Sequence, residues 1–163
     1  MVLIFGGTYQ GKLDYALEHF GLGKDDVYFC SDGDTKLPID KKVIYEADKW
    51  ILALIKEGVT RVARDDTNAT EEDTGMAHNV KRFFSENSDA IVICNDISCG
   101  VVPIDPIMRK WRDEVGRFMA QAAKVSDEVV RLFCGIPTCL SKKADLLYSE
   151  SALPQCKAAK GLS

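Results

Sequence analysis

The chain has 163 residues, of which 46% are hydrophobic and 28% charged, with a formal net charge of -4. That composition excludes a generally disordered chain, and the length suffices to bury a core without disulfides or metal. The acidic balance argues against binding duplex nucleic acid over a broad surface and leaves room for a local basic pocket. No apolar run approaches the roughly 20 residues of a membrane span, and the start lacks the pattern of a signal peptide, so a cytoplasmic protein is expected. The six cysteines include no Cys-x-x-Cys pair and read as reduced, mostly structural thiols.

Val2 to Phe5 is a continuous apolar run, the mark of a strand buried on both faces. A Gly-rich turn follows at Gly6 to Gly11. Leu13, Ala16, Leu17 and Phe20 then fall at helical spacing, and Gly21 ends that helix. Val27 to Cys30 reads as a second strand. The spacing of Val43, Ala47, Trp50, Ile51, Leu54 and Ile55 predicts one long helix over 40–56, followed by a weak strand over 59–64. Met76, Val80, Phe83 and Phe84 line a further helix, and Ala90 to Cys94 is the clearest buried strand. Asp105-Pro106 is a helix start, with Ile107, Trp111, Val115, Phe118, Met119 and Ala122 on the apolar stripe. Glu128 to Cys134 is a fifth strand. Strands alternating with helices imply an α/β fold, a P-loop-type, mainly parallel sheet of about five or more strands with helices on both faces. One domain over 1–150 and a weakly ordered tail over 151–163 are expected. Ligands of such sheets bind at the carboxyl ends of the strands, which directs attention to the turns 6–13, 31–37, 65–68 and 95–103.

Gly6-Gly7-Thr8-Tyr9-Gln10-Gly11-Lys12 has the spacing Gly-x4-Gly-Lys between a buried strand and a helix, the context a P-loop needs. Glycines let the backbone curl its N–H groups inward, the helix start adds partial positive charge, and Lys12 adds a full one. The plainer reading is a Gly-rich turn with a solvated lysine. One element departs from the motif. Leu13 stands where a Ser or Thr hydroxyl ligates Mg²⁺, so a metal would need other carboxylates, water and the nucleotide. Phosphate capture survives that change better than phosphoryl transfer.

Asn95-Asp96-Ile97-Ser98-Cys99-Gly100-Val101-Val102-Pro103 follows the clearest strand. Arg109, Trp111-Arg112-Asp113, Gly116-Arg117, Ser126-Asp127-Glu128-Val129 and Gly135-Ile136-Pro137 come after it. In order and spacing these strings, together with the Gly-Gly-x-x-x-Gly-Lys start, resemble the bifunctional adenosylcobinamide kinase/adenosylcobinamide-phosphate guanylyltransferase family of cobalamin biosynthesis. The resemblance covers the first dozen residues and 95–137; the middle does not align clearly. The family carries Asn-Glu where this chain has Asn95-Asp96, a glycine at Ser98 and an Asn at Met119. Its guanylyl transfer uses a histidine between the second strand and the next helix, and residues 31–49 contain none. His19 and His78 lie elsewhere.

The resemblance implies ATP- or GTP-dependent phosphorylation of adenosylcobinamide, with the guanylyl transfer step lost, in a homo-oligomer, a trimer by family. Gly6, Gly7, Thr8, Tyr9, Gln10, Gly11, Lys12 and Leu13 would form the nucleotide loop. Lys12 would steady the β- and γ-phosphates, and Asp96 would hold Mg²⁺-bound water or accept a hydroxyl proton. Asp65 and Asp66 are further metal candidates. Against these stand a turn or cap role for Asp96 and ordinary loop carboxylates at 65 and 66. Arg109 and Arg112 share a helix face that would meet phosphate or carboxylate, or simply solvent. The competing function is a non-catalytic nucleotide- or anion-binding descendant.

Overall fold

The computed structural model describes residues 1–62, 76–98 and 100–143, with the backbone alone for 59–62. Six strands form one sheet in the order β2-β3-β4-β1-β5-β6. The strands are β1 (Val2–Gly6), β2 (Val27–Phe29), β3 (Val43–Tyr45), β4 (Ile91–Asn95), β5 (Glu128–Phe133) and β6 (Ile136–Lys142). The first five in space run parallel, and β6 returns antiparallel to β5. The expected α/β architecture is therefore present, with one added edge strand.

The alternation of β1 explains its central place. Leu3 turns to one face and Ile4 to the other, and both are buried. One face is covered by α1 (Lys12–Phe20), whose Ala16, Leu13 and Leu17 pack on Ile4, Ile93 and Val130. The opposite face carries α2 (Ala47–Val62), α3 (Met76–Glu86) and α4 (Pro106–Val125). Trp50 of α2 stacks on Phe83 of α3 at 5.1 Å between ring centroids, and Phe83 meets Phe118 of α4 edge-on at 5.2 Å. This aromatic cluster ties three helices together. The start of α4 is as expected: Asp105 accepts from the N–H of Ile107 at 2.7 Å and of Met108 at 3.2 Å, with Pro106 in the first turn.

Two expectations are corrected. The helix over 40–56 is instead a strand, β3, followed by α2. The strand over 59–64 is not there: its first four residues continue α2, and 63–64 lie outside the described residues. Val43 and Ile44 happen to continue the helical spacing of Ala47, Trp50 and Ile51, so periodicity merged two elements. Glu46, with φ 60, breaks them apart. β6 escaped the sequence reading because every one of its residues is exposed, which leaves no apolar pattern to detect. The tail 151–163 lies outside the described residues.

Candidate nucleotide-binding site

β1 sits between β4 and β5. The chain leaves β1 for the far edge of the sheet, returns through β3 and β4, and then crosses over β1 to β5. The crevice at the carboxyl ends of β1 and β4 is thus the place where strand order reverses, and the loop 7–11 lies there.

Gly6 closes β1 under a tight constraint. A Cβ on it would lie 2.3 Å from the carbonyl oxygen of Leu132 on β5, so no side chain fits without moving a sheet strand. Its own carbonyl accepts from the N–H of Asp96 at 2.9 Å. Gly11, just before α1, has φ 76 and ψ 19, a left-handed conformation that glycine adopts without strain. Between them Thr8 and Tyr9 are exposed, and Gln10 accepts from the N–H of Cys134 through Oε1 at 3.3 Å. Among the described residues, the N–H groups of Thr8 to Leu13 donate to no protein acceptor. A run of unclaimed amides at a helix start is the arrangement that receives phosphate.

Lys12 is not a solvated helix-start lysine. It is 4% exposed, and its Nζ donates to the carbonyl of Gly7 at 2.6 Å. Burial lowers its pKa below the usual lysine value, opposed by the charge of Asp48 first, then Cys94 and Glu46. Leu13 packs its side chain against the α1 face of the core. The position that would offer a metal-binding hydroxyl here serves packing.

Asp96 follows β4 immediately. Its Oδ1 accepts from the N–H of Ser98 at 3.2 Å and from the Ser98 hydroxyl. That is a turn-forming contact beside the loop. Asp65 and Asp66 lie outside the described residues. Among the described residues no group of three His, Cys, Asp or Glu side chains could hold a metal ion. With Leu13 turned into the core and Asp96 bonded to Ser98, the described residues do not fit a magnesium set supplied by protein alone.

The arginines of the family string hold their own loop. Arg109 Nη1 donates to the carbonyls of Ile104 at 2.6 Å and Pro103 at 3.3 Å. Arg112 donates to the carbonyls of Gly100 at 3.3 Å and of Ser98. Arg117 pairs with Glu114 on the same helix. His19 stacks on Tyr15 at 5.1 Å between centroids, on the exposed side of α1, and His78 is exposed on α3. An apolar groove of about 390 Å³ runs between α4 and the β5–β6 edge, lined by Leu3, Phe5, Met119, Ala123, Val129 and Leu140. It presents no titratable group.

One residue of this region escaped the sequence reading. Asp48, on the first turn of α2, is 2% exposed. Its carboxylate accepts from the N–H of Asn95 at 3.0 Å and from Asn95 Nδ2 at 3.1 and 3.2 Å. Its carbonyl accepts from Trp111 Nε1 at 2.7 Å, a polar contact beyond the apolar-stripe role of that residue. Burial raises the Asp48 pKa against the opposing pull of the Asn95 donors. The only signal in the sequence is an acid set among Ala47, Trp50 and Ile51, beside an otherwise apolar helix face.

No helix among the described residues is long and apolar enough to cross a membrane. No curated protein matches the chain at a significant level. A family match covers residues 39–140, described as cobinamide kinase / cobinamide phosphate guanyltransferase. It runs from before β3 into β6, so it takes in residues 39–94 of the segment that the motifs left unaligned as well as the 95–137 strings, and it does not include the loop at 6–13. With that span matched and the strings standing in order along one parallel sheet, the chain belongs to the cobinamide kinase / cobinamide phosphate guanyltransferase family.

Proposed function

We propose that this chain binds ATP or GTP in the loop from Gly6 to Leu13 and uses it to phosphorylate a hydroxyl of adenosylcobinamide. The family supplies the nucleotide and cobinamide as substrate classes. The observation that supports this site is the loop itself: unclaimed N–H groups from Thr8 to Leu13 around a buried lysine. In phosphoryl transfer the acceptor oxygen bonds to the γ-phosphorus while the bond to the β–γ bridging oxygen breaks. Charge on the transferring group would meet the loop amides and Lys12. The hydroxyl proton would pass to a carboxylate, and Asp96 is the candidate because its N–H is bonded to Gly6. Magnesium, if brought with the nucleotide, would supply charge neutralisation, and no described residue is assigned to hold it. The guanylyl transfer step is read as lost, because residues 31–49 hold no histidine.

A second reading is favoured by Leu13 alone: a nucleotide- or anion-binding descendant without turnover, since the residue that would hold metal is committed to the core. One experiment separates the two. ATP and GTP are titrated with and without Mg²⁺, and nucleoside diphosphate is then assayed after adding adenosylcobinamide. Diphosphate release supports the kinase. Tight binding without release supports the second reading, and no binding at all ends both. Lys12→Ala is expected to weaken nucleotide binding about 100-fold, the loss of a buried charge-assisted contact.

A further inference from the structure

A buried carboxylate is costly unless its charge is met. The hydrogen-bond partners of Asp48 explain only its shape. β3 ends at Tyr45, opposite Ile93, and Glu46 turns the chain off the sheet. β4 continues two residues further, to Asn95. The N–H of Asn95 has therefore lost its neighbouring strand, and the Asp48 carboxylate takes it. Trp111 holds the same residue from the α4 side. All of these donors are neutral.

The nearby cation is Lys12, and the connection is short. Asn95 is the register partner of Gly6, and the next carbonyl, that of Gly7, holds Lys12 Nζ. The other groups acting on Lys12 are Cys94 and Glu46. Cys94 is fully buried, which pushes its thiol well above the usual range and keeps it neutral. Glu46 is already paired with Lys49 at 2.5 Å. Asp48 is the buried carboxylate left to act on the loop lysine across the ends of β1 and β4.

We propose that Asp48 is a positioning residue for the phosphate loop: a buried counter-charge, anchored through Asn95 and Trp111, that holds the Lys12 ammonium beside the loop while no phosphate is bound. This rests on the reading of the loop as a nucleotide site. Burial alone would favour the neutral amine, and a neutral amine attracts phosphate poorly. Asp48 offsets that tendency and also repels an arriving anion. It therefore extends binding toward alkaline pH at some cost in affinity near neutrality.

The test is metal-free ATP binding by calorimetry, from neutral to alkaline pH, for wild type and Asp48→Asn. The variant is expected to bind equally well or up to about tenfold tighter at neutral pH. Its loss of binding on the alkaline side should come about one pH unit or more earlier, so the two profiles cross. Trp111→Phe, which leaves the carboxylate in place, should lose binding at the wild-type pH. Weakening of Asp48→Asn by one factor at every pH would mark a structural role only and overturn the proposal. If Asp48→Asn does not fold, ¹⁵N NMR of Lys12 Nζ in ligand-free wild type decides. A persistent ammonium through the neutral range supports the counter-charge, and a neutral amine there overturns it. That measurement uses no nucleotide, so failure of wild type to bind ATP counts against the proposed function separately.

Discussion

Two neighbouring loops follow parallel strands at the same end of the sheet, and they are built in opposite ways. After β1, the segment 7–11 leaves its donors unclaimed and makes few contacts with itself: Lys12 to Gly7, and Gln10 to the β5–β6 turn. After β4, the chain is braced from α4. Ser98 bonds Asp96, Arg112 takes the carbonyls of Ser98 and Gly100, and Arg109 those of Pro103 and Ile104. Both segments carry residues of the family strings, yet in the second it is the carbonyls that are claimed, by arginine side chains of α4. The family strings thus stand in two loops held in different ways, one with its amides open and one braced through its carbonyls by α4.

The strongest way to break this contrast is at Gly6. Gly6→Ala drives a methyl toward the Leu132 carbonyl, 2.3 Å from where its Cβ would sit. A loss of about 3 kcal/mol is expected in urea unfolding, together with loss of nucleotide binding, because the loop and β5 must separate. If stability holds, the close approach does not constrain the loop. Arg112→Ala tests the other side. Removing donors to the 98–100 carbonyls should cost about 1 kcal/mol and speed protease nicking in 98–104. Nucleotide affinity should change less than about twofold, because Arg112 is committed to main-chain carbonyls. A large affinity loss would erase the distinction between the two loops.

The smallest expected effect lies at the opposite end of the sheet. Asp127 bonds the ammonium groups of Lys143 and Met1, each at 2.8 Å, and Lys143 first, then Met1, lower its pKa from 3.8 to about 2. The folded pKa is depressed, so this contribution is present above pH 3.8 and fades as pH falls through about 2. Asp127→Asn should flatten the acid side of a stability–pH curve and scarcely move the neutral part, since the pair is exposed and screened. An unchanged acid limb would show that the ion pairs are not formed in solution.

How much of this was legible follows from where side chains go. β1 and β4 are apolar on both faces, so Val2 to Phe5 and Ala90 to Cys94 announced themselves. The tight strand-to-helix turn at 6–12 was legible because glycine and lysine spacing is backbone chemistry. β3 was hidden because Val43 and Ile44 fall in phase with α2, and β6 because it buries nothing. Asp48 was hidden for another reason. Its meaning depends on Asn95, 47 residues away, and a single chain position does not reveal such a partner. The arginines were legible as a pattern, but their bonds to main-chain carbonyls depend on how the 98–104 segment folds back, which spacing alone does not fix.

The contacts of the 6–11 loop with its neighbour strand have one last consequence. Gly6 lies against the Leu132 carbonyl and Gln10 against Cys134, so the loop's curvature is templated by β5 rather than by a guest. Under the proposed function, a loop shaped in advance would give up little conformational freedom on association, a saving that would appear as affinity. The loop would accordingly keep one shape, free or occupied.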